Sequence, residues 1–362
     1  MPNLYGQEWS RSDLQQNLSN MDQVASVRPS VLRGGRAEGV EVVEVVTGSG
    51  FQFTVVPGRG MDIAHASYNG IPLGWRSYTG DVAAPFFEPD GMGWLRGSFG
   101  GLMSTGGLNY MGAPSLDEGV ELGIHGRASY LPASNVWSDA AWDGDRYRLW
   151  VRGKVAESAS LGPNLVLTRE VSTEMGAHHF VIRDTVENCT FDRVEHMMLY
   201  HFNFGFPVLS GQSRLVANTV EVIPRDEDSV PGLGRWDSFE PPSTGRPHQL
   251  FYHRVQPDAT GRVHVMLLGM QRFDREPLAV YLSYTHATLP WLINWKCMQP
   301  GNYVTGIEPA NAWVQGRAEE RAAGRLRFLG SWEKVSYEVE FGVLPDSTAI
   351  QDFAEKHHLR LL

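Results

Sequence analysis

Alternation of apolar and polar side chains with a period of two dominates this chain, the signature of strands that bury one face. It marks Arg148 to Val155, Leu165 to Val171, Phe180 to Val186, Glu195 to Phe204, Val263 to Met270, Ala279 to Tyr284, Trp291 to Cys297, Arg325 to Leu329 and Ser336 to Val343. Nearer the N-terminus, Val40 to Val46 and Phe51 to Val56 flank Thr47-Gly48-Ser49-Gly50, which predicts a hairpin. A second hairpin is predicted where Ile63 to Tyr68 and Ile71 to Trp75 flank Asn69-Gly70, a dipeptide that accepts the positive φ angles of a tight turn. Helical spacing is confined to the ends: Leu14, Leu18 and Met21 after Ser12, and Ile350, Phe353 and Ala354 behind a cap at Asp346 or Ser347. So many strands predict an all-β fold of two large packed sheets, with short helices at the ends covering a sheet edge or face.

Two stretches break the pattern. Residues 224–247 are rich in Pro, Gly, Asp and Arg and too long for a simple connector, so they are expected either to wall a site or to form a surface excursion. Residues 81–114 are rich in glycine but hold no phosphate-binding motif, so the glycines predict tight turns where backbone lines a concave face. Phe86, Phe87, Trp94 and Tyr110 in the same stretch offer aromatic surfaces to the apolar face of a ligand. Strands of one style continue on both sides of 224–247, which predicts a single domain over 1–362 with 1–36 as an N-terminal extension.

Composition narrows the function classes. Hydrophobic residues make up 42% of the 362, enough to fill a sizeable core, while a net charge of −10 without a basic cluster argues against a nucleic-acid partner. No run approaches the roughly 20 apolar residues needed to span a bilayer. Cys189 and Cys297 lie in separate apolar contexts and read as buried small side chains, and the N-terminus lacks a basic patch followed by an apolar run. The expectation is a cytoplasmic protein with neither nucleic-acid nor membrane partner, with homodimerisation left open.

Three segments end strand-like runs with groups that move protons: Gly123-Ile124-His125-Gly126-Arg127, Leu199-Tyr200-His201-Phe202-Asn203-Phe204-Gly205 and Gly306-Ile307-Glu308-Pro309. Two imidazoles and a carboxylate suit proton shuttling near neutral pH. Alternation puts His201 and Asn203 on one face of their strand and Tyr200, Phe202 and Phe204 on the other. Two polar neighbours on a packed face without partners would cost about 1–3 kcal/mol each, so that face is expected to look at a ligand. Glu308 stands before Pro309, which ends strands, and half-burial there should raise its pKa; the alternative is an ion pair with Arg317 or Arg321. Arg59 and Asp62 follow a strand through Pro57-Gly58 and are either substrate-binding or a structural turn held by an ion pair. Trp295 and Lys296 can form a wall and an anion contact, the alternative for Lys296 being an outward-facing charge, and Arg127 can fork onto hydroxyls or a carboxylate. No close ligand spacing such as H-x-H occurs among these residues, so neither a metal nor any other cofactor is expected.

Taken in order, Pro57-Gly58-Arg59-Gly60-Met61-Asp62-Ile63, His125-Gly126-Arg127, Tyr200-His201-Phe202-Asn203-Phe204-Gly205 and Gly306-Ile307-Glu308-Pro309 resemble the aldose 1-epimerase (galactose mutarotase-like) superfamily, and within it a bacterial aldose 1-epimerase-like branch. The resemblance spans nearly the whole chain. It implies a large antiparallel β-sandwich of the mutarotase type, a sugar or sugar derivative as substrate, Glu308 as catalytic base, His201 as general acid and a ligand-orienting role for His125. Arg127 stands where better-known mutarotases have a second glycine. The expected reaction is aldose 1-epimerisation, an isomerase activity. Epimerisation or isomerisation at another carbon of a ketose, sugar acid or sugar phosphate, or carbohydrate binding without turnover, remain the alternatives.

Overall fold

A computed structural model of the chain describes residues 1–271 and 277–361. The principal strands, in chain order, are β1 (Ser26–Val31), β2 (Glu41–Val46), β3 (Phe51–Val56), β4 (Asp62–Tyr68), β5 (Met103–Leu108), β6 (Ser134–Asp143), β7 (Arg146–Ser158), β8 (Asn164–Glu174) and β9 (His179–Asn188). They continue with β10 (Val194–Gly205), β11 (Arg214–Ala217), β12 (Thr219–Pro224), β13 (Gln249–Val255), β14 (Arg262–Gln271), β15 (Pro277–Thr285), β16 (Trp291–Gln299), β17 (Asn302–Ala310) and β18 (Lys334–Leu344). One large sheet runs in the order β12-β13-β16-β17-β10-β5-β4-β3-β2-β1, and a second in the order β6-β7-β8-β9-β18-β15-β14-β11. All these pairings are antiparallel, so the all-β sandwich expected from the period-two pattern is the fold.

The core lies between the two sheets. Phe53 of β3 meets Phe180 of β9 at 4.8 Å between ring centroids, Phe180 meets Phe341 of β18 at 5.3 Å, and Phe202 of β10 stacks on Phe341 at 5.9 Å. Each buried ring contributes about 1.5–3 kcal/mol of transfer free energy. Phe202 and Phe204 point into this core together with Tyr200, which leaves Leu199, His201 and Asn203 on the opposite face of β10. That alternation is what aims the polar residues of β10 out of the sandwich.

The Asn69-Gly70 turn forms with φ of 48° and 80°, and Tyr68 pairs with Ile71 as the dipeptide requires. Its return strand stops at Pro72, because Gly74 brings the chain against Leu102 and Trp75 pairs with Gly101 instead. Asp346 caps the C-terminal helix α3 (Ser347–Lys356) through Ala349 N, and Ser10, two residues before the expected start, caps α1 (Arg11–Asn17). Helix α2 (Arg317–Ala322) lies outside the ends to which helical spacing was confined. A strand also runs through the glycine-rich stretch: β5 pairs with β10, and Gly106 there leaves room for Leu199, whose Cβ lies 3.0 Å from where a side chain would begin. No described helix is long and apolar enough to cross a membrane.

Candidate active site

The outer face of the larger sheet floors a cavity of about 590 Å³. Three neighbouring strands put their polar residues there in a row. Ser104 of β5 pairs with His201 of β10, and the register that sets Leu199 opposite Ala310 and Phe202 opposite Ile307 sets His201 opposite Glu308 of β17. His201 Nε2 and Glu308 Oε1 are 3.3 Å apart, with 14% and 2% of their side-chain surfaces exposed. They make no aligned hydrogen bond, and Glu308 Oε1 and His201 Nδ1 are buried without a partner. Gly306 makes the pair possible: a side chain there would begin on the Glu308 carboxylate and 3.2 Å from the His201 ring.

His125 arrives from a loop and completes the cluster. Its ring stands edge-on to His201 with centroids 5.5 Å apart, and Trp94 packs on its other side at 5.2 Å. Its backbone is held at φ 59° because Gly107 N donates to its carbonyl and its own N–H donates to Gly112 O. Gly126, expected to permit close backbone approach, does so: a Cβ would strike the carbonyls of Tyr110 and Gly107.

Burial sets the electrostatics. It pushes Glu308 up to about 8, Arg225 opposing, and pushes His201 down to about 3 and His125 down to about 4. Burial therefore disfavours the charged form of both groups. The ion-pair alternative for Glu308 is removed, since Arg317 and Arg321 both bind Asp117, at 2.6 and 2.9 Å.

Asn203 and Trp295 line the cavity with the three proton-moving groups. Four residues expected to bind substrate lie outside the cavity lining. Arg59 is 1% exposed, stacks on Tyr130 and gives its N–H groups to the carbonyls of Ser129, Val82 and Gly97, so it fastens loops together. Asp62 is fully buried between the sheets, where it accepts from Thr105 and Ser129 and lies 3.7 Å from Arg169 rather than holding Arg59. Arg127 is exposed one residue past the Gly126 turn, outside the cavity lining, and its charge acts on Glu157 and Tyr110. Lys296 alternates with Trp295 and so points away; its ammonium donates to Arg235 O and Ser238 O, tying down the 224–247 segment.

Of the expected aromatic surfaces only Trp94 lines the cavity, and Phe87 stacks on Tyr130 instead. Trp75, Tyr78, Ser104, Arg225 and His248 line it without having been singled out. Arg225 and His248 bracket the 224–247 segment, so the long irregular stretch was the available signal for them. Cys297 also lies in the wall, buried, with Sγ 3.2 Å from His248 Nε2, whereas Cys189 is half-buried elsewhere.

The two-sheet antiparallel sandwich is a galactose mutarotase-like fold. Residues 37–343 match the model of a family described as a domain of unknown function (DUF4432), and the chain belongs to that family. A crystal structure from Klebsiella pneumoniae, of a protein named provisionally as an aldose 1-epimerase, is similar with a TM-score of 0.88 at 26% identity, covering 94% of this chain and 90% of that one. A galactose mutarotase-like protein from Clostridium acetobutylicum has a TM-score of 0.60 at 12% identity, covering 89% of this chain and 99% of that one. Galactose 1-epimerase from Lactobacillus acidophilus has a TM-score of 0.57 at 11% identity with the same coverages. These last two share the fold. No curated protein matches the chain.

Proposed function

We propose that this protein is a sugar epimerase of the aldose 1-epimerase type, with Glu308 and His201 as its proton-transfer pair. The observation that carries this reading is the 3.3 Å approach of two buried, unsatisfied groups on the floor of an aromatic-walled cavity. Buried unpaired polar atoms cost about 1–3 kcal/mol each, which a ligand recovers by bonding them. The name of the Klebsiella relative and of the Lactobacillus galactose 1-epimerase agree with it.

Ring opening needs a base at the anomeric hydroxyl and an acid at the ring oxygen. Glu308 takes the O1 proton while His201 gives one to the ring oxygen; the C1–O5 bond breaks, C1 becomes a carbonyl, and rotation about C1–C2 followed by the reverse transfers yields the other anomer. The active form has the pair's proton on His201. Burial opposes that placement, since it raises Glu308 and lowers His201. Attraction between the resulting ions, 3.3 Å apart, works in its favour, and substrate hydroxyls that bond the charged form add to it.

His125 lowers the pKa of His201 and faces it edge-on, which suits a donor or acceptor that orients a ring hydroxyl. Neither this step nor its reverse changes the proton count, so no cofactor enters. The test is anomer exchange measured by NMR saturation transfer on purified protein against hexoses, 6-deoxyhexoses, pentoses, hexuronates and sugar phosphates. Exchange above the buffer rate for at least one is expected; exchange for none, with binding retained, would identify a carbohydrate-binding protein instead.

A further inference from the structure

We propose that the sugar accepted by this cavity carries an anionic group, a carboxylate, sulfonate or phosphate, and that Arg225 receives it. The inference rests on the reading of the cavity as a sugar site and adds the class of sugar. Among the described residues Arg225 is the one permanently charged side chain in the lining; the remaining acid–base groups there are three imidazoles, Glu308, and the Tyr78 and Cys297 side chains. Asp226 pairs with the Nε side of Arg225 and offsets part of that charge. The charge of Arg225 is felt at the reacting end, since it draws Glu308 below the value burial alone would set.

Its guanidinium is positioned but not consumed. Arg225 follows the end of β12 and its backbone N–H donates to Leu250 O. Its Nε donates to Asp226 at 2.6 Å, and Asp226 is held in turn by the N–H and hydroxyl of Ser229 at 3.0 and 2.6 Å. That leaves Nη1 and Nη2 without a hydrogen bond or ion pair among the described residues. Two adjacent, fixed N–H groups form the fork that planar or tetrahedral oxyanions fit. Recognition of a neutral polyol calls for acceptors, carboxylates above all, that take its hydroxyl protons. Among the described residues Glu308 is the only carboxylate in the lining, and the proposed chemistry occupies it. The strongest unused group is therefore a donor, while Trp75, Tyr78, Trp94 and Trp295 cover the apolar face of a ring.

Calorimetric titration of the Glu308→Gln protein, which keeps the cavity but not the base, separates binding from turnover. The probes are hexose, hexuronate and hexose 6-phosphate of the gluco, galacto and manno series, with the 6-sulfo analogue of 6-deoxyglucose. At least one anionic sugar is expected to bind about 10–100-fold more tightly than its neutral counterpart, and the anion that does so identifies the source. Adding Arg225→Gln should abolish that margin, and Arg225→Lys should restore only part of it, because an ammonium keeps the charge but lacks the fork. Equal binding of neutral and anionic sugars, no measurable binding of any anionic probe, or a margin that survives Arg225→Gln would overturn the proposal. Binding of an anionic sugar through Arg225 without exchange by the wild-type protein would instead count against the epimerase reading alone. Exchange of neutral aldoses with no advantage for anions would sink this proposal and leave that reading standing.

Discussion

Tyr200 and His201 are adjacent in β10 and lie at the centres of two buried polar clusters, one on each face of the same strand. On the inner face Tyr200 donates to Asp184 at 2.7 Å, Arg169 forks onto Asp184 at 2.6 and 2.9 Å and reaches Thr105, and Asp62 accepts from Thr105 and Ser129. Arg169 is wholly buried, yet its charged partners raise its pKa above the ordinary value for arginine despite burial. On the outer face burial is not compensated: Glu308 is pushed up, His201 and His125 are pushed down, and each of the three keeps an unpaired atom. Burial thus acts in opposite ways on the two faces. The saturated cluster holds the sheets together, and the unsaturated one keeps polar atoms free to bond a ligand.

The largest effect that would break this contrast concerns Glu308. Glu308→Gln keeps shape and removes basicity, so turnover should fall by roughly 10²–10⁴ with the fold intact by circular dichroism. Its stability should move the other way. The carboxyl's folded value, about 8, lies above its ordinary 4.5, so the stability it contributes is full below about 4.5 and is lost as pH rises through 8. The variant, which does not titrate, should therefore gain on the wild type between pH 5 and pH 9 in chemical denaturation. On the other face, Arg169→Met should cost about 3–5 kcal/mol of stability in the same assay by leaving Asp184 buried and unpaired. A milder loss there, or a rise in stability of neither protein, would remove the distinction between the faces.

Smaller changes sharpen it. Gly306→Ala should displace the Glu308 carboxylate and lower kcat about 10²-fold, since a shift of about 1 Å at a reacting group is enough for that, with little change in melting temperature. Lys296→Met should act only through the 224–247 segment that it anchors, raising KM about 3–10-fold while sparing kcat. A fall in kcat equal to that of Gly306→Ala would put Lys296 in the chemistry after all.

The sandwich and the face that His201 shares with Asn203 were legible because both follow from local rules. Period-two runs define strands, and alternation along β10 separates His201 and Asn203 from Tyr200, Phe202 and Phe204 without any knowledge of neighbours. What alternation does not reveal is which partner each outward or inward group meets. Arg59 and Asp62 looked like a cleft-side pair because they share a short turn, but their true partners, the carbonyls of Val82 and Gly97 and the side chains of Thr105 and Ser129, lie tens of residues away. Lys296 follows Trp295 on one strand, so alternation sets it on the other face, the alternative that its sequence context left open. β5 was hidden because Ser104-Thr105-Gly106-Gly107 has weak strand propensity, and only the packing of Leu199 against Gly106 explains glycine there. Arg225 and His248 gave no motif at all, being brought to the cavity by the course of the loop between them.

The most direct test of the account is the pH dependence of catalysed anomer exchange, followed by NMR on whichever sugar is turned over, with the fold checked at each pH. The competent state is a His201–Glu308 pair holding one proton, whose apparent pKa values belong to the pair. The rate should be level through neutral pH and fall tenfold per pH unit once the pair loses that proton above about 8. Exchange that continues undiminished well above that pH in the folded protein would show that the shared proton of Glu308 and His201 does not carry the reaction.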